Sequence, residues 1–73
     1  MVTIQLYWKE TGSPAKGVKV GIHQSMFDGM HHEYTDSSGE ANFSNVSPSD
    51  GEVYADGITV YKGRLEGRKL IYI

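Results

Sequence analysis

The chain has 73 residues, no cysteine and a formal net charge of −2. A chain this short buries only about 60% of the surface its unfolded form exposes. Disulfides and thiolate metal sites are excluded, which leaves good packing, a partner or a second copy to stabilise it. Its seven basic residues are scattered, apart from Arg64, Arg68 and Lys69, and give no nucleic-acid footprint. No apolar run approaches the ~20 residues that cross a bilayer as a helix, and Met1 is not followed by a basic-then-apolar leader. The expectation is therefore no nucleic acid and no membrane. If Met1 is the natural start, a cytoplasmic or assembly-associated location follows.

Val2, Ile4, Leu6 and Trp8 alternate with Thr3, Gln5 and Tyr7, which predicts a first strand with its apolar side chains on one face. Lys9 to Gly17 holds two glycines and a proline and reads as a loop. A second strand starts at Val18, with Val20 and Ile22 on its apolar face. Asp28-Gly29 is a two-residue hairpin signal, since both central residues of a type I′ turn need positive φ. That turn pairs Phe27 with Met30, Ser25 with His32, His23 with Tyr34, Gln24 with Glu33 and Ile22 with Thr35.

Tyr34 to Phe43 reads Y-T-D-S-S-G-E-A-N-F. Asp36 at the first turn position can accept from a backbone N–H two residues on, and Gly39 at the fourth tolerates positive φ. Ala41 and Phe43 then alternate with polar neighbours, so the turn hands the chain to a core strand. Pro48 and Gly51 mark the next turn region. Asp56-Gly57 predicts a second hairpin, pairing Ala55 with Ile58, Tyr54 with Thr59, Val53 with Val60 and Glu52 with Tyr61. Glu66-Gly67 is a further turn before a last strand, Leu70 to Ile73.

Seven short strands at intervals of about ten residues, with no helical stripe, predict an all-β fold over residues 1–73. The expected form is a small seven-strand antiparallel β-sandwich, Ig-like in outline. Its expected core is Ile4, Leu6, Trp8, Val20, Ile22, Phe43, Val53, Ile58, Val60 and one face of the last strand.

G-S-P-A-K-G-V-K-V (Gly12 to Val20) and T-D-S-S-G-E-A-N-F-S-N-V (Thr35 to Val46), followed by a Pro/Gly turn into a short apolar strand, resemble a known pattern. The chain resembles transthyretin-like sandwich domains of the carboxypeptidase-regulatory and collagen-adhesin B-repeat type. The resemblance spans about three quarters of the chain; it departs at Gly51, where Tyr54 falls one place late. It implies a structural or protein-interaction module. The similar hydroxyisourate hydrolases end in Tyr-Arg-Gly-Ser, whereas this chain ends Ile71-Tyr72-Ile73. Adhesin repeats often carry a Lys–Asn isopeptide bond with Asn in the final strand, and this final strand has no Asn. Neither chemistry is expected here.

Three sets of residues are candidates for function. His23 and His32 fall diagonally on one hairpin face and could share zinc or nickel, but His31 and Glu33 point the other way and no third ligand is assured. The plain reading is exposed histidines on a hairpin arm, and no cofactor is expected. Met26, Phe27 and Met30 flank the first Asp-Gly turn, either as an apolar tip that inserts into a partner or as side chains folded back over the domain end. Tyr7, Tyr54 and Tyr61 lie opposite the apolar faces, as cross-strand pairs or as a platform for sugars or small ligands. No nucleophile–base set emerges. The expected function is a non-enzymatic structural or interaction module whose partner is a protein, in the simplest case itself. Asp36, Gly39 and Phe43 are expected to be structural.

Overall fold

The computed structural model describes residues 1–24 and 30–73. The described strands are β1 (Val2–Tyr7), β2 (Lys19–Gln24), β3 (Met30–Tyr34), β4 (Glu40–Phe43), β5 (Ser49–Ala55), β6 (Ile58–Leu65) and β7 (Gly67–Tyr72). They form a three-stranded sheet in the order β4-β1-β7 and a four-stranded sheet in the order β3-β2-β5-β6. The inward residues of both sheets make one buried cluster. Val2, Ile4, Leu6, Ala41, Phe43 and Ile71 come from the first sheet, and Val20, Ile22, Val53, Ala55 and Leu65 from the second. Among the described residues there is no helix long and apolar enough to cross a membrane.

The turn before β4 forms as its residues predict. Asp36 Oδ1 accepts from the N–H of Ser38 at 2.8 Å and of Glu40 at 3.0 Å. Gly39 has φ +78° and donates its N–H to the Asp36 carbonyl at 2.9 Å. Phe43 is buried opposite Val2. Thr35, just before the turn, is also buried. Its hydroxyl donates to the Ala15 carbonyl and accepts from the Val18 N–H, pinning the loop before β2 onto the segment that follows β3.

The register of β2 against β3 differs from expectation by four residues. His23 pairs with Met30, Ile22 with His31, Gly21 with His32, Val20 with Glu33 and Lys19 with Tyr34. The expected pairs His23–Tyr34, Gln24–Glu33 and Ile22–Thr35 do not form, and the pairs expected of Ser25 and Phe27 lie outside the described residues. A shift of four is even, so Val20 and Ile22 still face the core, and alternation alone cannot tell the two registers apart. Asp28-Gly29 itself lies outside the described residues.

The second hairpin starts as predicted. Asp56 and Gly57 have φ +50° and +84°, and Ala55–Ile58 and Tyr54–Thr59 pair. A bulge then intervenes. Val53 pairs with Tyr61 and Glu52 with Lys62, replacing the expected Val53–Val60 and Glu52–Tyr61. Val60 is the extra residue, and Tyr61 consequently turns toward the core.

Three further expectations are corrected. The sheets are not wholly antiparallel, because β7 runs parallel to β1. The chain leaves the four-stranded sheet at Glu66 and enters the other, so no hairpin signal links these neighbours. Trp8 is 41% exposed, because it sits past the end of β1 in a turn closed by Gly12 N–H to the Trp8 carbonyl at 2.8 Å. Ile58 is 69% exposed at the tip of the second hairpin. Ala15, Val18, Val46 and Leu65 are buried, while Val60 only packs partly against the cluster.

Candidate interaction surface

Among the described strands four are edges: β3, β4, β6 and β7. An edge presents unpaired backbone groups, and proteins blunt edges by shortness, bulges, charge or proline. Three edges here carry such a device. β4 has only four residues, β6 is bulged, and β3 is polar through His31, His32 and Glu33. β7 pairs with β1 in unbroken register over six residues and contains no proline.

The backbone of β7 shows which groups are free. Ile73 N–H donates to the Tyr7 carbonyl at 2.8 Å, and Lys9 N–H donates to the Ile73 carbonyl at 2.9 Å. Successive residues of a strand aim their polar groups at opposite edges. Lys69, Ile71 and Ile73 therefore aim at β1, and Arg68, Leu70 and Tyr72 aim theirs away from the sheet.

The side chains follow the same alternation. Ile71 is buried, while Leu70 is 51% and Tyr72 55% exposed. The Tyr72 ring stacks on Tyr7 with centroids 5.3 Å apart, fixing it on the outer face of the three-stranded sheet. The two charges of β7 are engaged within the chain. Arg68 reaches across β1 to Glu40 and Gln5, each at 3.0 Å. Lys69 Nζ lies 4.3 Å over the Tyr61 ring. Beside the end of β7, Trp8, Ile58, Val60, Tyr72 and Ile73 line one cleft. Trp8 and Ile58 were expected in the core, and their exposure is what makes this end apolar. The signal for Leu70 and Tyr72 was legible: if Ile71 and Ile73 face inward, their neighbours face out.

The other candidates sit elsewhere. Met26 and Phe27 lie outside the described residues. Met30 is 43% exposed, on the outer face of the four-stranded sheet. His23 and His32 share that face, while His31 and Glu33 turn to the opposite one. Among the described residues no three His, Cys, Asp or Glu side chains converge to hold a metal. The three tyrosines do not form one platform. Tyr7 belongs to the three-stranded sheet. Tyr54 lies on the outer face of the four-stranded sheet, and Tyr61 is on the opposite face, where its hydroxyl donates to the Arg64 carbonyl at 3.2 Å. The Tyr54 hydroxyl donates to Glu52 Oε2 at 3.0 Å. That hydrogen bond holds the proton on and raises the Tyr54 pKa, with desolvation and the Glu52 charge adding to it.

Compared with protein-family models, curated proteins and solved structures, the chain finds no match in any of the three.

Proposed function

We propose that this chain is a non-enzymatic structural or protein-interaction module, a transthyretin-like β-sandwich that self-associates through β7. The observation that carries the reading is the open outer edge of β7, unbulged and free of proline, with Leu70 and Tyr72 exposed and both of its charges engaged within the chain. The motif residues Asp36, Gly39 and Phe43, each in its expected structural place, support the sandwich assignment.

The edge is self-complementary in one register. An antiparallel pairing of two β7 strands about a two-fold axis at Leu70 sets Leu70 against Leu70, and Arg68 against Tyr72 of the second copy. All three residues already aim their backbone groups outward, so three facing pairs exchange about six hydrogen bonds. No like charges oppose each other, and each Arg68 meets an aromatic ring. A two-fold axis at Lys69 would set two ammonium groups face to face, and one at Ile71 would leave Arg68 beyond the end of the partner strand. The joined sheet then runs β4-β1-β7-β7-β1-β4 across two copies. The exposed cleft at Trp8 and Ile58 lies next to this seam and adds apolar area, which a stable interface needs beyond one strand pair.

Light scattering over a concentration series tests the reading. The expected result is a mass rising toward twice that of the chain. A protein that stays strictly monomeric at the highest concentration overturns it.

A further inference from the structure

The outer face of the four-stranded sheet holds a second arrangement, independent of the β7 edge. Gly21 lies at its centre, flanked by His32 on β3 and Tyr54 on β5. Its missing side chain leaves room that two neighbours occupy. The terminal methyl of Met30 lies 3.0 Å, and the Cδ2 and Nε2 of His32 lie 3.2 and 3.4 Å, from the place a Cβ on Gly21 would take. The Met30 thioether sulfur is one bond from that methyl. The thioether arm of Met30 and the imidazole of His32 therefore both lie over one glycine. His23 stands directly across from Met30 on β2, on the same face and half-buried.

The donor set defines the ligand class. Thioether and imidazole together are soft, and such sets select copper(I) over harder divalent ions. Zinc in a structural site takes four Cys, His or carboxylate ligands, and in a catalytic site usually three. No such trio converges among the described residues. A count of histidines and acids alone therefore passes over this cluster, because its third donor is a methionine. The strand supplies the geometry: with a side-chain period of two, Met30 and His32 project from the same face of β3. Two carboxylates lie on this side of the sheet: Glu52, across from His23 and hydrogen-bonded by the Tyr54 hydroxyl, and Asp56, which lines the same cleft as Gly21, Met30 and His32.

We propose that His23, Met30 and His32 form a copper(I) site on the outer face of the four-stranded sheet. Binding is a ligand addition with no redox step: the imidazoles coordinate as neutral bases and the thioether through a sulfur lone pair. Gly21 is the positioning residue, since a side chain there would push Met30 and His32 apart.

The test is competition for copper(I) held by bicinchoninate, under anaerobic conditions with ascorbate, using the full chain. The expected result is transfer of one copper per chain that excess zinc does not reverse. Met30→Leu and His32→Gln each weaken binding by at least about tenfold, while His31→Gln, on the opposite face, leaves it unchanged. Silver(I), which has no redox chemistry here, should shift the Met30 methyl resonance in the same titration. Circular dichroism of each variant confirms that the fold persists. The proposal is overturned if the chain takes no copper from bicinchoninate, if zinc displaces the copper, or if folded Met30→Leu binds as tightly as the unsubstituted chain.

Discussion

Gly39 and Leu6 meet backbone to backbone. The Leu6 N–H donates to the Gly39 carbonyl at 2.8 Å, and a Cβ on Gly39 would overlap the Leu6 carbonyl oxygen. The glycine's φ of +78° is also one that side chains rarely adopt. Gly39→Ala should therefore cost more than the ~1–3 kcal/mol of backbone strain alone, because β1 must also move. Urea denaturation, read as a fall in midpoint at constant slope, checks this. A midpoint unchanged from the parent chain would show that the corner does not set the fold.

Phe43 leads on from that corner into the core. Phe43→Ala should destabilise the domain by about 3–5 kcal/mol, a large share of what a chain this size can hold. Ser37→Ala, at an exposed position in the same turn, should stay within about 0.5 kcal/mol. The pair of denaturation curves separates the core contribution from that of the polar turn.

Thr35 is the buried clamp between the loop before β2 and the segment that follows β3. Thr35→Val keeps the shape but leaves the Val18 N–H and the Ala15 carbonyl without their partner. The expected loss is about 1–3 kcal/mol. Amide exchange should locate it, with faster exchange at Val18 and at its loop neighbours. Unchanged exchange there would mean that the clamp is not holding the loop.

Leu70→Lys tests the β7 edge. It sets two ammonium groups opposite each other at the centre of the proposed two-fold pairing. Leu70 is more than half exposed, so the folded chain should lose little stability. The expected outcome is a folded protein whose light-scattering mass no longer rises with concentration. Association that persists in this variant would place the contact on another surface.

Tyr54 reports on its bond to Glu52. Its pKa is raised, so the folded state favours the neutral phenol. The contribution to stability is present at pH values below the unfolded-state pKa of about 10, and it fades as pH rises through the higher folded-state value. Glu52→Gln removes the charge and the stronger acceptor, and should bring the Tyr54 titration down toward its ordinary value. Phenolate absorbance against pH, compared with Tyr54→Phe, isolates the group. A titration unmoved by Glu52→Gln would show that the carboxylate is not its cause.

Of the candidate β7 edge only the strand itself, with one face toward the core, was legible in the chain. The alternation of Leu70, Ile71, Tyr72 and Ile73 already divides that strand into an inward and an outward face. The copper cluster was half legible. His23 and His32 stood out as a pair, while Met30 was read only as an apolar tip, since nothing in the sequence shows that its side chain lies over Gly21 beside His32.

The sequence by itself determined the local elements. Alternation set where the strands run and which residues of Val20, Ile22, Ala41 and Phe43 face inward. Asp36 to Gly39 and Asp56-Gly57 fixed their turns through hydrogen-bonding and φ preferences that act within a few residues. Only the tertiary structure decided how strands meet. The β2–β3 pairing moved by four residues because a period of two is blind to even shifts. The bulge at Val60, the parallel seating of β7 beside β1, and the exposure of Trp8 and Ile58 are set by packing between distant segments. Which edge is left open, and which side chains gather over Gly21, belong to that same long-range level.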